Sequence, residues 1–563
     1  MRSSLITLFS FLLIINLFPS NAKAREFKRM MPEPSIHLMP GGFEPYYKPT
    51  GPLDDTLNVR INSDESGEIQ NEQQVCINPT NPDNVVAVWR DFRLGYRRIG
   101  VGFSLDGGKT WLDDLLPNDN QPRMSDPGLT FNAGGTIYAL SLSFNWDEDE
   151  SGMEVFPSTT GGITWDEPTI ALMTMDSTIF EDKELIACDR APDSPYQGNL
   201  YISWTRFIYE PDFLTDCYVI RSTDGNQTWE DPIRISDAPY LQWSVPVVGS
   251  GGVVYVAWVS YYFNTIMLDR SFDGGQTWND DIELTSVSTA QTEINGGITV
   301  FSYPAMDADI TGSQYNGNLY VAYMDWAGHD FDIYFRKSTD QGETWSEPER
   351  INDDDLGNGA DQFHPWTYVD ENGTITVMFY DRRNDPDNLL YDVYITQSFD
   401  GGETWSDNRR VTTVSSDPTQ GGYKGGLIGE YSGVAVHNGV ANCVWTDFRL
   451  GDEDTYGARV DSTYTIGVDD NVVPIPTQPL LISNYPNPFN SSTEIKFNVP
   501  HQSEVEITAF DISGRKVEDI AKSKYQPGSY SIRWSPSNLS SGVYLIRLKS
   551  SEGINVRKAV FLK

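Results

Sequence analysis

The chain has 563 residues, and its 80 acidic and 40 basic side chains give a formal net charge of −40. This charge argues against nucleic acid and anionic membrane surfaces as partners, because both carry charge of the same sign. The length indicates more than one domain. The four cysteines, Cys76, Cys188, Cys217 and Cys443, are too scattered for a disulfide framework or a metal-binding pair, so we expect buried free thiols.

Residues 1–24 predict an export signal. Arg2 supplies a positive charge, residues 5–18 form an apolar run, and Ala22-Lys23-Ala24 has the small residues of a cleavage site. We interpret residues 25–56 as an N-terminal extension. Because no other stretch approaches the ~20 apolar residues that cross a bilayer, we expect a secreted or surface-held protein without a membrane span.

Residues 57–463 are dominated by one repeated pattern, Ser-x-Asp-x-Gly-x-Thr-Trp. Its six copies are residues 104–111, 158–165, 222–229, 271–278, 338–345 and 398–405. The Asp caps its own turn, the Gly takes a positive φ, and the Trp anchors the turn to the sheet. Thr160 replaces the Asp once and Asn226 replaces the Gly once, and both residues still form turns. A spacing of about 50 to 65 residues, with several short strands in each unit, predicts a β-propeller.

The number of blades depends on the two ends of this region. The strands at residues 439–460 form a further unit, but no copy of the pattern follows them to lead into a fourth strand. Arg60-Ile61-Asn62 matches Arg350-Ile351-Asn352, which follows the fifth copy as a fourth strand. We therefore expect seven blades, the last completed by the N-terminal strand at residues 57–62, with six blades as the alternative.

The pattern resembles the Asp-box, or bacterial neuraminidase, repeat of sialidases and other propellers. The resemblance implies that each copy joins the third and fourth strands of a blade, and that a functional site lies on the opposite face. Four segments enter first strands on that face, and they bring carboxylates, a His and a Tyr together. They are residues 71–74, 181–184, 361–364 and 429–433.

Three Asp-x-Arg loops on the same face supply Arg93, Arg383 and Arg449. Sialidases bind the carboxylate of an anionic sugar with three arginines, so the resemblance implies that these three form the substrate-binding clamp. The alternative is that each arginine pairs with an aspartate of its own or the next blade and stiffens the ring.

Sialidases also use a tyrosine nucleophile with a glutamate as its base and an aspartate as the acid, in place of the usual carboxylate pair. The resemblance implies Tyr431 as the nucleophile, Glu184 as its base and Asp126 as the acid. The chain departs from the family because it has no Arg-Ile-Pro motif near its start.

Two weaker features concern metals and sugars. The acidic runs at residues 147–150 and 353–355, the latter followed by Asp361, could bind Ca²⁺ but lack the spacing of a defined loop, so we expect solvated turns and no cofactor. Several aromatic side chains could stack on sugar rings, although most such residues in a propeller are core. They are Trp146, Trp243, Tyr261, Tyr262, Trp326 and Trp366.

The C-terminal region reads as a separate module. A Pro-rich linker at residues 464–479 precedes alternating strands that predict a small immunoglobulin-like β-sandwich at residues 480–563. Tyr485-Pro486-Asn487-Pro488-Phe489-Asn490 and Gly542-Val543-Tyr544-Leu545 resemble the C-terminal sorting domain of type IX secretion cargo. The resemblance implies the type IX machinery as a partner and a place outside the outer membrane of a Bacteroidota-like bacterium.

Two functions are compatible with these features. The first is a sialidase-like exo-glycosidase that acts on anionic sugars at the cell surface. The second is a noncatalytic propeller that binds a glycan, surface polymer or protein. The enzyme requires three guanidinium groups within reach of one carboxylate, whereas the binding module requires arginines held by aspartates.

Overall fold

The computed structural model describes residues 57–118, 120–288, 291–326, 328–420, 428–461, 480–485, 487, 489–499, 503–511, 515–525, 528–536, 539–550 and 553–563. The chain divides into two compact units, within residues 1–464 and 465–563. The predicted export signal, the N-terminal extension and the predicted linker lie outside the described residues. In the part that is described, no helix has the length and apolarity to cross a membrane.

The described residues of the first unit form seven four-stranded antiparallel sheets and one two-stranded sheet. A two-residue strand, β1 (Val59–Arg60), comes first in the chain but belongs to the seventh sheet. The first sheet is β2 (Gln70–Ile77), β3 (Val85–Asp91), β4 (Arg98–Ser104) and β5 (Leu112–Leu115). The second is β6 (Arg123–Phe131), β7 (Ile137–Asn145), β8 (Glu150–Ser158) and β9 (Thr169–Met175). The third is β10 (Ile179–Cys188), β11 (Leu200–Ile208), β12 (Leu214–Ser222) and β13 (Ile233–Arg234).

The remaining sheets follow in the same order. The fourth is β14 (Leu241–Val248), β15 (Val254–Ser260), β16 (Thr265–Ser271) and β17 (Ile282–Ser286). A hairpin, β18 (Gln291–Ile294) and β19 (Ile298–Phe301), comes next. The fifth sheet is β20 (Ala305–Ala308), β21 (Leu319–Trp326), β22 (Phe331–Ser338) and β23 (Glu349–Arg350). The sixth is β24 (Gln362–Val369), β25 (Ile375–Asp381), β26 (Asp392–Ser398) and β27 (Arg409–Arg410). The seventh is β28 (Gly433–His437), β29 (Val440–Asp447) and β30 (Asp454–Val460), with β1 at its edge.

The sheets are packed face to face through their apolar strands. Strands β3, β15 and β25 are buried along their whole length, which explains their nearly continuous apolar sequences. One buried cluster joins the first and second sheets, and another joins the seventh and first. The first strands of all seven sheets also line one cavity of about 150 Å³.

Strand β1 connects the two ends of this unit. Val59 lies opposite Gly457 and Arg60 opposite Tyr456 of β30, the pairing predicted by the match between residues 60–62 and 350–352. Ile61 is fully buried in the cluster that joins the seventh and first sheets. The first strand of the chain's first sheet, β2, contacts both β6 and β28, so the series of sheets returns to its start.

Each repeated pattern forms a tight turn between a third strand and the residues leading to the fourth; we call these the repeat turns. In the first, Asp106 accepts hydrogen bonds from the Thr110 backbone N–H at 2.9 Å and from its hydroxyl at 2.7 Å. The Ser104 hydroxyl accepts from the N–H of Gly108, whose φ is +90°. The two departures keep this geometry, because the Thr160 hydroxyl accepts from Thr164 N at 2.9 Å and Asn226 adopts a φ of +75°.

The second unit contains two antiparallel sheets around one core. One sheet has the order β31 (Leu480–Tyr485), β32 (Thr493–Val499) and β35 (Gly528–Trp534). The other has the order β34 (Lys516–Tyr525), β33 (Ser503–Asp511), β36 (Gly542–Ser550) and β37 (Gly553–Phe561). Phe497, Ile507 and Ile546 are fully buried in a cluster to which both sheets contribute.

The four cysteines, all of which are described, are free thiols. Cys188, Cys217 and Cys443 are buried, and Cys76 is partly buried. Burial raises the pKa of the Cys76, Cys188 and Cys443 thiols to about 12, so they stay protonated at neutral pH.

Candidate functional site

The first strands of five sheets carry a β-bulge at the same place, close to where the strand begins. Each bulge puts one extra residue into the strand, opposite the paired second strand. One non-glycine residue in each bulge has a left-handed φ; we call these the bulge residues. They are Glu72 (61°), Asp126 (46°), Lys183 (59°), Trp243 (66°) and His364 (47°). Such a conformation is unfavourable for a side chain, so its recurrence marks this end of the sheets as a candidate site.

Lys183 is the centre of a buried charged cluster. Its Nζ lies 2.7 Å from Asp126 Oδ1 and 3.2 Å from Glu430 Oε2, and all three side chains are at most 10% exposed. The Tyr431 hydroxyl donates to the same Asp126 Oδ1 at 3.5 Å. The second, third and seventh sheets thus bring a phenol, an ammonium and two carboxylates together.

Glu72 of the first sheet completes the cluster. Oxygen atoms of Glu72, Asp126 and Glu430 lie within 4.8 Å of one another, and Arg90 Nη1 is 2.7 Å from Glu72 Oε1. Burial raises the pKa of Glu72 well above its usual value, against the opposing effect of Arg90. Burial acts on Glu430 in the same direction, but Lys183 and a hydrogen bond from Glu72 outweigh it and lower its pKa to about 2. These shifts favour the neutral form of Glu72 and the charged form of Glu430.

The cluster keeps Lys183 charged and Tyr431 protonated. Burial opposes the charge on Lys183, but Asp126 and Glu430 outweigh it and raise the pKa of the ammonium well above its usual range. Burial raises the pKa of the Tyr431 hydroxyl well above 10, although Lys183 pulls it down. An ammonium this close would stabilise a tyrosinate if Tyr431 gave up its proton.

Glu184 and Asp182 flank Lys183 in the chain and are both affected by burial. Burial raises the pKa of Glu184 well above its usual value, with Asp126 and Asp182 adding to the effect. Neither Glu184 oxygen has a hydrogen-bond partner in another described residue. Burial also raises the pKa of Asp182 to about 7. Burial thus favours the neutral form of Glu184, the form from which a general acid donates its proton.

Aromatic side chains enclose the cluster. Lys183 Nζ lies 5.0 Å from the Trp243 ring centroid and 5.8 Å from that of Tyr431. Phe301, the last residue of the β18–β19 hairpin, packs against Trp243 with centroids 4.3 Å apart. His364 stacks beside Phe301, and burial lowers its pKa to about 4, so its imidazole is neutral. These walls surround the cluster with aromatic groups, which strengthens the electrostatic interactions inside.

The three arginines of the predicted clamp lie in ion pairs with aspartates. Arg93 contacts Asp91 at 2.7 Å and Asp113 at 2.8 Å. Arg449 binds Asp447 at 2.8 Å and also donates to Asn58 Oδ1. Arg383 likewise binds Asp381 at 2.7 Å and pairs with Asp353. A substrate role for these arginines stays a prediction, and their ion pairs argue against it, because a guanidinium that serves carboxylates has few donors left.

The structure brings together two of the three predicted catalytic residues, Tyr431 and Asp126, and places Glu184 beside their lysine partner. In the structure Tyr431 contacts Asp126, whereas the sequence predicts Glu184 as the base that contacts it. Sequence reasoning missed Lys183, Glu72 and Glu430 as members of one cluster, although it named the segments that contain them. Glu72 and Lys183 occupy the same position in their first strands as Asp126. Aligning the first-strand sequences with one another would therefore have identified both as candidate site residues.

Glu72, Asp126 and Glu430 have the spacing of a metal site, but Lys183 already supplies a cation to two of them. In the acidic run predicted as a weak calcium site, Asp353 pairs with Arg383. Asp354 binds Arg350 at 2.7 Å and accepts from Asn352 at 2.7 Å. These carboxylates are therefore paired with basic and amide side chains of the protein itself.

Residues 483–562 match the family model of the secretion system C-terminal sorting domain. This match confirms the predicted sorting domain at the end of the chain. The protein is therefore secreted and attached to the cell surface through type IX secretion.

No curated protein matches the chain. Among solved structures, a protein of unknown function from Dyadobacter fermentans has 16% identity and a TM-score of 0.39, covering 57% of this chain and 93% of that one. A Hadza microbial sialidase has 13% identity and a TM-score of 0.37, covering 74% and 95%. An α-L-arabinanase of Penicillium chrysogenum has 14% identity and a TM-score of 0.40, covering 72% and 98%.

Proposed function

We propose that this protein is a cell-surface glycoside hydrolase with Tyr431 as its nucleophile. The observation that carries the proposal is the contact of the Tyr431 hydroxyl with Asp126 at 3.5 Å, on a carboxylate oxygen that Lys183 also binds at 2.7 Å. A tyrosine hydroxyl becomes a nucleophile when a neighbouring base takes its proton and a cation stabilises the resulting anion. At Tyr431, Asp126 is that base and Lys183 is that cation.

In the proposed reaction, Asp126 accepts the Tyr431 proton as the phenolic oxygen bonds to the anomeric carbon of the sugar. The glycosidic bond breaks, and Glu184 protonates the departing oxygen. Water then cleaves the glycosyl-tyrosine bond: the Glu184 carboxylate takes a proton from the water, and Asp126 returns a proton to the phenolate. Relative to the sequence-based assignment, the two carboxyl groups exchange roles, because Asp126 is the one in contact with Tyr431.

The electrostatics favour an uncharged sugar over an anionic one. The cluster holds the Asp126 and Glu430 carboxylates against Lys183, and the three arginines that would bind a sugar carboxylate are engaged by aspartates. An anionic sugar would meet like charge from Asp126 and Glu430, while Arg93, Arg383 and Arg449 are already paired. Sialosides are therefore the less favoured class of substrate.

The proposal includes an architecture. The seven sheets would be the blades of a closed β-propeller, with β1 completing the seventh blade and removing its free edge. The bulge residues would then stand around the axis at one mouth of the channel. The second unit would be an immunoglobulin-like sandwich that carries the sorting signal.

The test is hydrolysis of 4-methylumbelliferyl glycosides, a panel that includes neutral hexosides, arabinofuranosides and the sialoside. The full secreted chain should release methylumbelliferone from a neutral member, and Tyr431→Phe should abolish turnover. Tyr320→Phe is the matched control, because Tyr320 is fully buried and its hydroxyl accepts only from Asn318 among the described contacts. If the parent hydrolyses no member of the panel, or Tyr431→Phe retains activity, the proposed chemistry is wrong.

A noncatalytic glycan-binding function is the second candidate. It is favoured by the engagement of Arg93, Arg383 and Arg449 with aspartates, the arrangement required for a binding propeller. A parent that binds glycans without hydrolysing any of the panel would support this function.

A further inference from the structure

A second candidate site lies outside the charged cluster. A cavity of about 680 Å³ opens between the β18–β19 hairpin, the turn from β21 to β22 and the start of β24. This volume falls within the range of about 300–1,000 Å³ that is usual for ligand sites. The lining includes Glu293, Asn295, Trp326, His329 and Asp361.

Trp326 gives the cavity an aromatic surface. Its side chain is 40% exposed, and it ends β21 opposite Phe331, the first residue of β22. The Phe331 ring meets the indole edge to face at 5.1 Å, so the indole is held in place while part of it stays open.

The other walls are fixed by hydrogen bonds between elements. Arg382 is fully buried and donates to Asn295 O of the hairpin at 2.8 Å and to Asn388 O at 2.9 Å. Asp361 accepts from Phe331 N at 3.2 Å and from Asn388 Nδ2 at 2.7 Å. The cavity is thus formed before any ligand arrives, which lowers the entropic cost of binding.

We propose that this cavity binds an uncharged sugar residue of an extracellular polysaccharide, with Trp326 as the stacking surface. A pyranose presents an apolar C–H face to an indole and hydroxyls to the polar groups around it. The lining residues, all of them described, include Glu293 and Asp361 and no Lys or Arg, so a uronate or sialate would be repelled. A peptide is the less favoured occupant, because among these lining residues Trp326 alone is a large apolar side chain with an exposed surface.

This inference goes beyond the proposed hydrolase, since binding at Trp326 requires no turnover at Tyr431. The experiment is isothermal titration calorimetry of the full secreted chain with cellohexaose, mannohexaose, laminarihexaose and hexagalacturonate. A neutral hexasaccharide should bind, and Trp326→Ala should weaken it by roughly tenfold, the scale of one lost aromatic contact. Trp326→Phe should have an affinity between those of the parent and of Trp326→Ala.

Tyr262→Ala is the matched control, because Tyr262 is 57% exposed and lies outside the cavity. Its affinity should equal that of the parent, and both variants should keep the parent's circular dichroism spectrum. The inference is overturned if no neutral hexasaccharide binds, if Trp326→Ala binds like the parent, or if hexagalacturonate binds tightest. Trp326-dependent binding of reduced, carboxymethylated lactalbumin, without any saccharide binding, would instead make the cavity a protein-docking site.

Discussion

The repeat turns and the bulge residues lie at opposite ends of the same sheets. Each repeat turn joins a third strand to a fourth and repeats both its backbone and its side chains, from Ser104 in the first sheet to Ser398 in the sixth. The bulges repeat only the backbone: their five residues are two acids, a lysine, a tryptophan and a histidine. Constant side chains on a constant backbone indicate scaffold, whereas varied side chains on a strained, constant backbone indicate a site.

The energetics of the two ends should differ as well. The repeat turns are exposed and satisfied locally, and basic side chains of one sheet reach the next turn, as Lys337 does to Glu403 at 2.6 Å. The charged cluster around Lys183 is buried, and its members come from four sheets. Removing one partner of an ion pair should therefore lower the free energy of unfolding slightly at the repeat turns and strongly at the bulge residues.

The largest effect is expected for Lys183→Met. This change leaves the Asp126 and Glu430 carboxylates buried without their cation, a loss of about 3–5 kcal/mol in the free energy of unfolding. Without the ammonium, the pKa of Glu430 should rise from about 2, so the loss should grow as pH rises from 5 to 8. Urea unfolding of the full chain at both pH values measures it.

Lys337→Met is the control for this experiment. Lys337 pairs with a Glu403 side chain that is 72% exposed, so its removal should cost at most about 1 kcal/mol, with little dependence on pH. Equal losses for the two variants would contradict the distinction between the two ends of the sheets.

A smaller effect is expected behind the cluster, at Glu453. Glu453 accepts from Asn71 at 2.8 Å, Asn71 accepts from Arg90, and Arg90 binds Glu72. Burial raises the pKa of Glu453 to about 8. The folded chain thus holds this proton more tightly than the unfolded chain, so its stabilisation is complete below pH 4.5 and declines as pH rises to 8.

Glu453→Gln should remove that decline, because the amide stays neutral and its oxygen can still accept from Asn71. The unfolding midpoint of the variant should equal or trail that of the parent at pH 5 and exceed it at pH 9. Glu148→Gln, at an exposed glutamate, is the control variant. A flat difference between Glu453→Gln and the parent would mean that Glu453 is ionised throughout.

The sequence predicted the features that repeat or pair locally. The six patterns predict their turns because Asp and Gly act within a few residues, and the C-terminal motifs predict the sorting domain that the family match confirms. The cluster could not be predicted in full, because Asp126, Lys183 and Glu430 are far apart in the chain and meet only where three sheets converge. The pairing of Arg93 with both Asp91 and Asp113 also depends on which way the loop turns its guanidinium.

The smallest effect is expected at a repeat turn, where the chain uses either Asp or Thr as the capping residue. Asp273 accepts from the Thr277 N–H at 2.9 Å and its hydroxyl at 2.6 Å; burial opposes its charge slightly, but these bonds lower its pKa to about 2. Asp273→Ala should cost at most about 1 kcal/mol at pH 7, the scale of an exposed capping bond. Asp273→Thr should cost less, because Thr160 makes the equivalent bond in the second turn.

Both Asp273 differences should shrink as pH falls from 4 to 2. A carboxyl group whose pKa is lower in the folded chain stabilises the fold above pH 3.8, and that contribution is lost as pH falls to 2. Thermal unfolding of the parent and both variants between pH 7 and 2 measures the convergence. The scaffold role inferred for the repeat would fail at its fourth copy under either of two outcomes. One is a loss for Asp273→Ala that matches that of Lys183→Met, and the other is a difference that is as large at pH 2 as at pH 7.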